Sequence, residues 1–133
     1  MWDIWLRAPD EAAQQVLDRG MRLRSEYDFL GAFEAFNALV RYCPDYAEGY
    51  NQRAFVSYLR EDYAAALVDL DAALGLSPNH VGAQSGRALT LMRMQRIPEA
   101  RRQMLEALAN NPWLSERALV AKGAALGPEG EDI

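Results

Sequence analysis

The chain has 133 residues, 50% of them apolar, enough for one modest domain and too few for two. Nineteen acidic against 14 basic side chains give a net charge of −5, which argues against a protein that tracks phosphates, so nucleic acid is not an expected partner. One cysteine, Cys43, and one histidine, His80, exclude an intramolecular disulfide and leave too few ligands for a zinc site, so neither metal nor cofactor is expected.

The 22 Ala and 17 Leu stand against only 10 β-branched residues, a balance that favours helix and starves strands, so the chain reads as all-α. Charges interrupt the apolar residues throughout, and no run approaches the roughly 18 residues of a membrane span. The opening stretch, residues 1–7, carries Asp3 where a secretory signal would carry positive charge. The chain therefore reads as soluble, cytoplasmic as it stands and periplasmic if an upstream leader has been removed. Residues 2–7 include Trp2 and Trp5 and end before Pro9-Asp10, where the second helix of a preceding half-unit would sit.

Residues 10–25 place apolar side chains at Val16, Leu17, Gly20, Met21 and Leu23, and residues 29–42 repeat that helical spacing with Phe29, Ala32, Phe33, Phe36, Leu39 and Val40. The break at 25–28 ends on Asp28, an acid suited to cap the next helix, and Asp62 before Tyr63 does the same in the following pair. In the third pair Pro98 takes an early helical position, where its missing N–H costs nothing. Residues 114–126, with Leu114, Ala118, Leu119, Ala121 and Leu126, predict a seventh helix whose outer side is kept wet by Arg117 and Lys122. Residues 127–133 are polar, acidic and rich in helix breakers, which predicts a flexible tail.

One period organises these elements. Pro44, Pro78 and Pro112 are spaced 34 and 34, and the same step relates Gly20, Ala54 and Ala88, then Ala32, Ala66 and Ala100, then Phe36, Leu70 and Met104, then Arg19, Arg53 and Arg87. Small residues in two columns let paired helices approach closely, and the large residues of the third fill the space beside them.

A 34-residue helix pair with a small residue in its first helix, then Ala-x-x-x-Phe, then Pro resembles the tetratricopeptide repeat (TPR) family, small bacterial members included. The resemblance covers residues 11–112 as three units, 11–44, 45–78 and 79–112, with a capping helix at 114–126, all in a single domain over 1–126. It departs from the family pattern where Val16, Tyr50 and Gln84 stand in the first-helix Trp/Tyr column. It implies a right-handed α-α superhelix of three helix-turn-helix repeats with terminal capping helices.

No catalytic constellation emerges. His80 has no nucleophile and acid at helical spacing and is expected to be exposed and either structural or incidental. Cys43 is expected to be a small packing residue. Asp69 and Asp71, two apart on a helix, diverge by about 200° and do not share a site. The resemblance implies instead that ligands meet the first helices of the units, at Gln14, Leu17, Met21, Arg24 and Ser25, then Glu48, Asn51, Phe55, Tyr58 and Leu59, then Gly82, Ser85, Leu89, Met92 and Arg93. Of these, Leu17, Met21, Arg24, Asn51, Phe55, Tyr58, Ser85, Leu89 and Met92 form the candidate groove. Asn51 can accept from and donate to a peptide backbone. The methionines and aromatic rings offer an adaptable floor. Arg24 and Arg93 bracket it. Gly82 and Gly86 are expected to serve close helix contact or open space on the groove wall, so that alanine at both raises the melting temperature.

The resemblance also names a subclass that clamps the acidic C-terminus of chaperones with Lys and Asn in its first helix, Asn in its third and Lys plus Arg in its fifth. The matching positions here hold Leu17, Met21, Gln52, Gly82 and Gly86, and Lys122 is the only lysine in the chain, so that mode is not expected. The reading is a non-enzymatic scaffold binding a peptide or protein segment. The alternative is a self-associating or docking module acting through its terminal helices, motivated by Trp2 and Trp5.

Overall fold

The computed structural model describes residues 8–128. Among them run six α-helices and no strand: α1 (Glu11–Ser25), α2 (Phe29–Tyr42), α3 (Ala47–Leu59), α4 (Tyr63–Leu76), α5 (Val81–Arg93) and α6 (Ile97–Asn110), followed by a 3-10 helix over Ser115–Val120.

The helix starts follow from the short polar side chains that precede them. Asp10, Asp28 and Asp62 accept from the backbone N–H of Ala13, Gly31 and Ala65 at 2.8, 2.9 and 3.2 Å. Pro98 is the second residue of α6. Each hairpin turns through a residue in the left-handed region: Tyr27 (φ 64°), Glu61 (φ 62°) and Gln95 (φ 64°). The spacing between them is again 34. In each turn the N–H of the next residue reaches back to the last helical turn, Asp28 to Leu23 O, Asp62 to Ser57 O and Arg96 to Leu91 O, which satisfies carbonyls the helix end would leave open.

The repeated columns are the core. Ala54, Ala88, Ala32, Ala66 and Ala100 are buried, as are Phe36, Leu70 and Met104. Gly20 has a strict reason: a Cβ there would lie 2.3 Å from the Phe36 ring. The arginine column pins each hairpin to its neighbour. Arg53 grips both carboxylate oxygens of Asp69, 16 residues ahead, and Asn37, 16 behind. Arg87 reaches Gln103 and Asp71 at the same offsets.

First helices of successive hairpins touch, α1 with α3 and α3 with α5, whereas successive second helices make no comparable contact. The stack therefore curves with α1, α3 and α5 on its inner side. No helix among the described residues is long and apolar enough to cross a membrane.

The C-terminal end departs from the seventh helix expected over 114–126. Only Ser115–Val120 is helical, and in 3-10 form. The helix ends at Ala121, whose backbone is extended (φ −69°, ψ 155°), and Gly123, at φ +84°, then turns the chain. The chain instead folds back so that Leu126, fully buried, joins Ala88, Leu91, Ala100, Met104 and Ala107 in the last core cluster. Arg117 and Lys122 are exposed. The half-unit expected at residues 2–7, and residues 129–133 of the acidic tail, lie outside the described residues.

Candidate functional site

Beneath the inner surface, α3 opens with a buried acid. Glu48 is 2% exposed, and His80, which precedes α5, is 1% exposed. The Ala83 backbone N–H can only donate, so His80 Nδ1, 3.1 Å from it, accepts; Nε2 then carries the proton and donates to Glu48 Oε1 at 2.8 Å. Gln52 Nε2 donates to Glu48 Oε2 at 2.6 Å and Asn51 Nδ2 to Oε1 at 3.3 Å. Arg24 of α1 donates to Gln52 Oε1. Burial pulls the Arg24 guanidinium below its ordinary pKa, with the nearby Glu48 charge acting against that shift. One polar chain therefore ties α1, α3 and the start of α5 together under the groove.

His80 is structural, one of the two roles expected of it, but its burial corrects the expectation that it is exposed. Its cue in the sequence was Gly82, two residues on: a Cβ there would stand 3.1 Å from His80 Cε1, so the glycine makes room for the ring. That also replaces half of the expectation for the two glycines. Gly86 meets only Leu70, at an ordinary 3.4 Å.

Above this layer lie the aromatic residues. Phe55 is 44% exposed, and the Arg24 guanidinium sits 4.5 Å over its ring. Arg93 donates through Nε to Tyr58 Oη at 3.1 Å and lies 5.9 Å over that ring. Met21 and Leu59 are exposed. A cleft of ≈ 210 Å³ opens between α3 and α5; Asn51, Phe55 and Tyr58 line one side, Gly82, Ser85, Gly86 and Leu89 the other, Ala54 and Leu70 also line it, and Glu116 of the 3-10 helix contributes a carboxylate. Glycine and serine on α5 are what leave this space unfilled.

The nine expected groove residues therefore divide. Asn51, Phe55, Tyr58, Ser85 and Leu89 meet at the cleft, and Arg24 stacks on its rim. Met21 is exposed beside them in sequence order on α1, and Met92 and Leu89 pack partly against the last core cluster. Leu17 is a correction: at 3% exposure it belongs to the first core cluster with Ala13 and Phe36. Ser85 turns its hydroxyl to Gly82 O at 3.2 Å and is itself mostly covered. The positions that would carry a cationic clamp hold one core leucine, an exposed methionine, a glutamine engaged with Glu48 and Arg24, and two glycines. Cys43 is half-buried, and burial pushes its thiol pKa up. Among the described residues, no three His, Cys, Asp or Glu side chains group to hold a metal.

No family model matches the chain. The tetratricopeptide repeat protein 36 homolog of Nematostella vectensis is 40% identical over 76 residues, 57% of this chain and 41% of that protein. The chain spans less than half the length of the curated relatives it matches. Among solved structures, the TPR domain of Arabidopsis OM64 superposes with a TM-score of 0.79 at 18% identity, over 84% of this chain and 92% of that one. The TPR2B domain of yeast Sti1, solved as a complex with pHsp70, gives a TM-score of 0.73 at 20% identity, over 83% and 87%.

Proposed function

We propose that this chain, a tetratricopeptide-repeat solenoid, is a non-enzymatic scaffold that holds a segment of another protein against α1, α3 and α5. The observation that carries the reading is the cleft between α3 and α5, where exposed Phe55 and half-buried Tyr58 face a wall of Gly82, Ser85 and Gly86. An open apolar space edged by polar groups on an inner helical face is the geometry of a binding site. The yeast domain of the same fold, solved as a complex with pHsp70, supports it.

Affinity comes mainly from apolar burial, at roughly 25 cal/mol per Å² before ordering costs, which predicts micromolar binding. The test is a peptide array tiled from the source proteome, probed with the wild type, Phe55→Ala, Tyr58→Ala and the outer-face control Val68→Ala. Loss of signal with the first two and retention with the control supports the groove; loss with Val68→Ala alone moves the site to the outer helices.

A further inference from the structure

Some arginines of this acidic chain are held by carboxylates, and others lie over rings, Arg60 over Phe33 on the one hand and two at the groove on the other. Arg53, Arg87 and Arg96 each have a carboxylate within 2.8 Å. Among the described residues, Arg24 and Arg93, at the groove, have no carboxylate in ion-pair contact; they are fixed over Phe55 and Tyr58 and by a hydrogen bond to Gln52 and to the Tyr58 hydroxyl. A guanidinium stacked on a ring keeps unused N–H donors in a fixed plane, ready for a carboxylate, and has already lost the side-chain freedom that an exposed ion pair costs. Phe55 and Tyr58 stand three apart on α3 and therefore share a face, so the two cations border one stretch of groove. The cleft beside them, ≈ 210 Å³, has room for one large apolar side chain, since a cavity of about 150 Å³ already takes a benzene ring. The carboxylate of Glu116, also on the cleft, disfavours an acid on its side.

Building on the proposed scaffold role, we infer that the occupant is an internal acidic segment of a partner: one large aliphatic or aromatic side chain enters the cleft, and flanking Asp or Glu residues meet Arg24 and Arg93. No chain terminus is required, because side-chain carboxylates of the segment can meet both guanidiniums. Glu116 sets the polarity, with the acidic flank directed away from the 3-10 helix.

The test is selection of a randomised seven-residue peptide library, displayed between fixed flanks so that no free terminus is offered. Targets are the wild type, Phe55→Ala, Arg93→Glu and Glu116→Lys, each checked for an unchanged helical spectrum. Arg93 is exposed, so its replacement leaves the fold intact. The expected result is enrichment of an apolar residue flanked by acids on the wild type, a shift toward basic flanks on Arg93→Glu, and tighter binding of the acidic peptides by Glu116→Lys. For one selected peptide, Arg93→Gln should weaken binding about fivefold, the upper range for a partly exposed ion pair. Peptides that depend on Phe55 yet carry neutral or basic flanks, or keep the same flanks on Arg93→Glu, overturn this inference and leave the scaffold reading standing. Absence of any Phe55-dependent enrichment overturns both.

Discussion

His80 Nε2 lies 2.8 Å from Glu48 Oε1, across 32 residues of sequence and out of contact with solvent. The link joins the start of α3 to the start of α5, while the other ring nitrogen caps α5 through Ala83. Removing either partner leaves a buried polar group short of a hydrogen bond, which costs about 1–3 kcal/mol and more for a charged group. His80→Ala should therefore destabilise by about 2–4 kcal/mol, the lost cap included. Glu48→Ala should cost about 2–3 kcal/mol, and the double variant clearly less than the sum, because neither survivor is then left unmatched. Urea unfolding of the four proteins measures this; strict additivity would mean that the bond carries no coupling.

Gly86 and Gly82, four apart on α5, should respond oppositely to alanine. At Gly86 the new methyl meets Leu70 at 3.4 Å, ordinary contact, so the helix gains the roughly 1 kcal/mol that glycine forgoes. At Gly82 it meets the His80 ring at 3.1 Å, and that ring is held at both nitrogens and cannot step aside freely. Gly86→Ala should raise the melting temperature by a few degrees, whereas Gly82→Ala should gain nothing or lose stability. Calorimetry on the two single variants separates them.

The contrast shows how much of the molecule was legible in its residues. The 34-residue columns located every hairpin, since each column residue contributes packing that local chemistry dictates: Ala32 and Ala54 where helices close, Phe36 where the gap must be filled. Apart from the arginine column, side chains that act across hairpins were not legible. Glu48 and His80 are far apart in sequence, and charged or titratable residues at helix starts ordinarily face water, so their burial depends on the superhelical register. Leu17 shows the converse error: its place on an inner helix marked it for the groove, but the turn of α1 aims it at Phe36 and Ala13.

The left-handed residues Tyr27, Glu61 and Gln95 are a second feature that composition hid, because no glycine marks these turns. A residue with a Cβ in this region costs about 1–2 kcal/mol relative to the ordinary helical conformation, a cost glycine escapes, although glycine also enlarges the entropy of the unfolded chain. Glu61 is exposed, so its side chain offers little to lose. Glu61→Gly should stabilise by about 0.5–1 kcal/mol. Glu61→Val, β-branched, should destabilise by about 1 kcal/mol or more. A stabilising valine in urea unfolding would contradict the conformation at this turn.

The fold-back at the C-terminal end gives the last prediction. Leu126 has no exposed surface, sits with Leu91 and Met104 over the last hairpin, and donates its backbone N–H to Leu119 O at 2.8 Å. The following Gly127 is required, because a Cβ there would lie 2.3 Å from Ala121 O. An uncovered hairpin leaves one face of its core in water, and this segment covers that face of the α5–α6 hairpin. Leu126→Ala should cost about 2–4 kcal/mol, and Gly127→Ala should reproduce part of that loss by displacing the loop. Hydrogen exchange discriminates between the docked loop and a loosely held one: both variants should lose protection chiefly in α5 and α6, leaving α1 and α2 unaffected. Uniform loss along the stack would instead mean that the hairpins unfold as one unit, with no separable cap at this end.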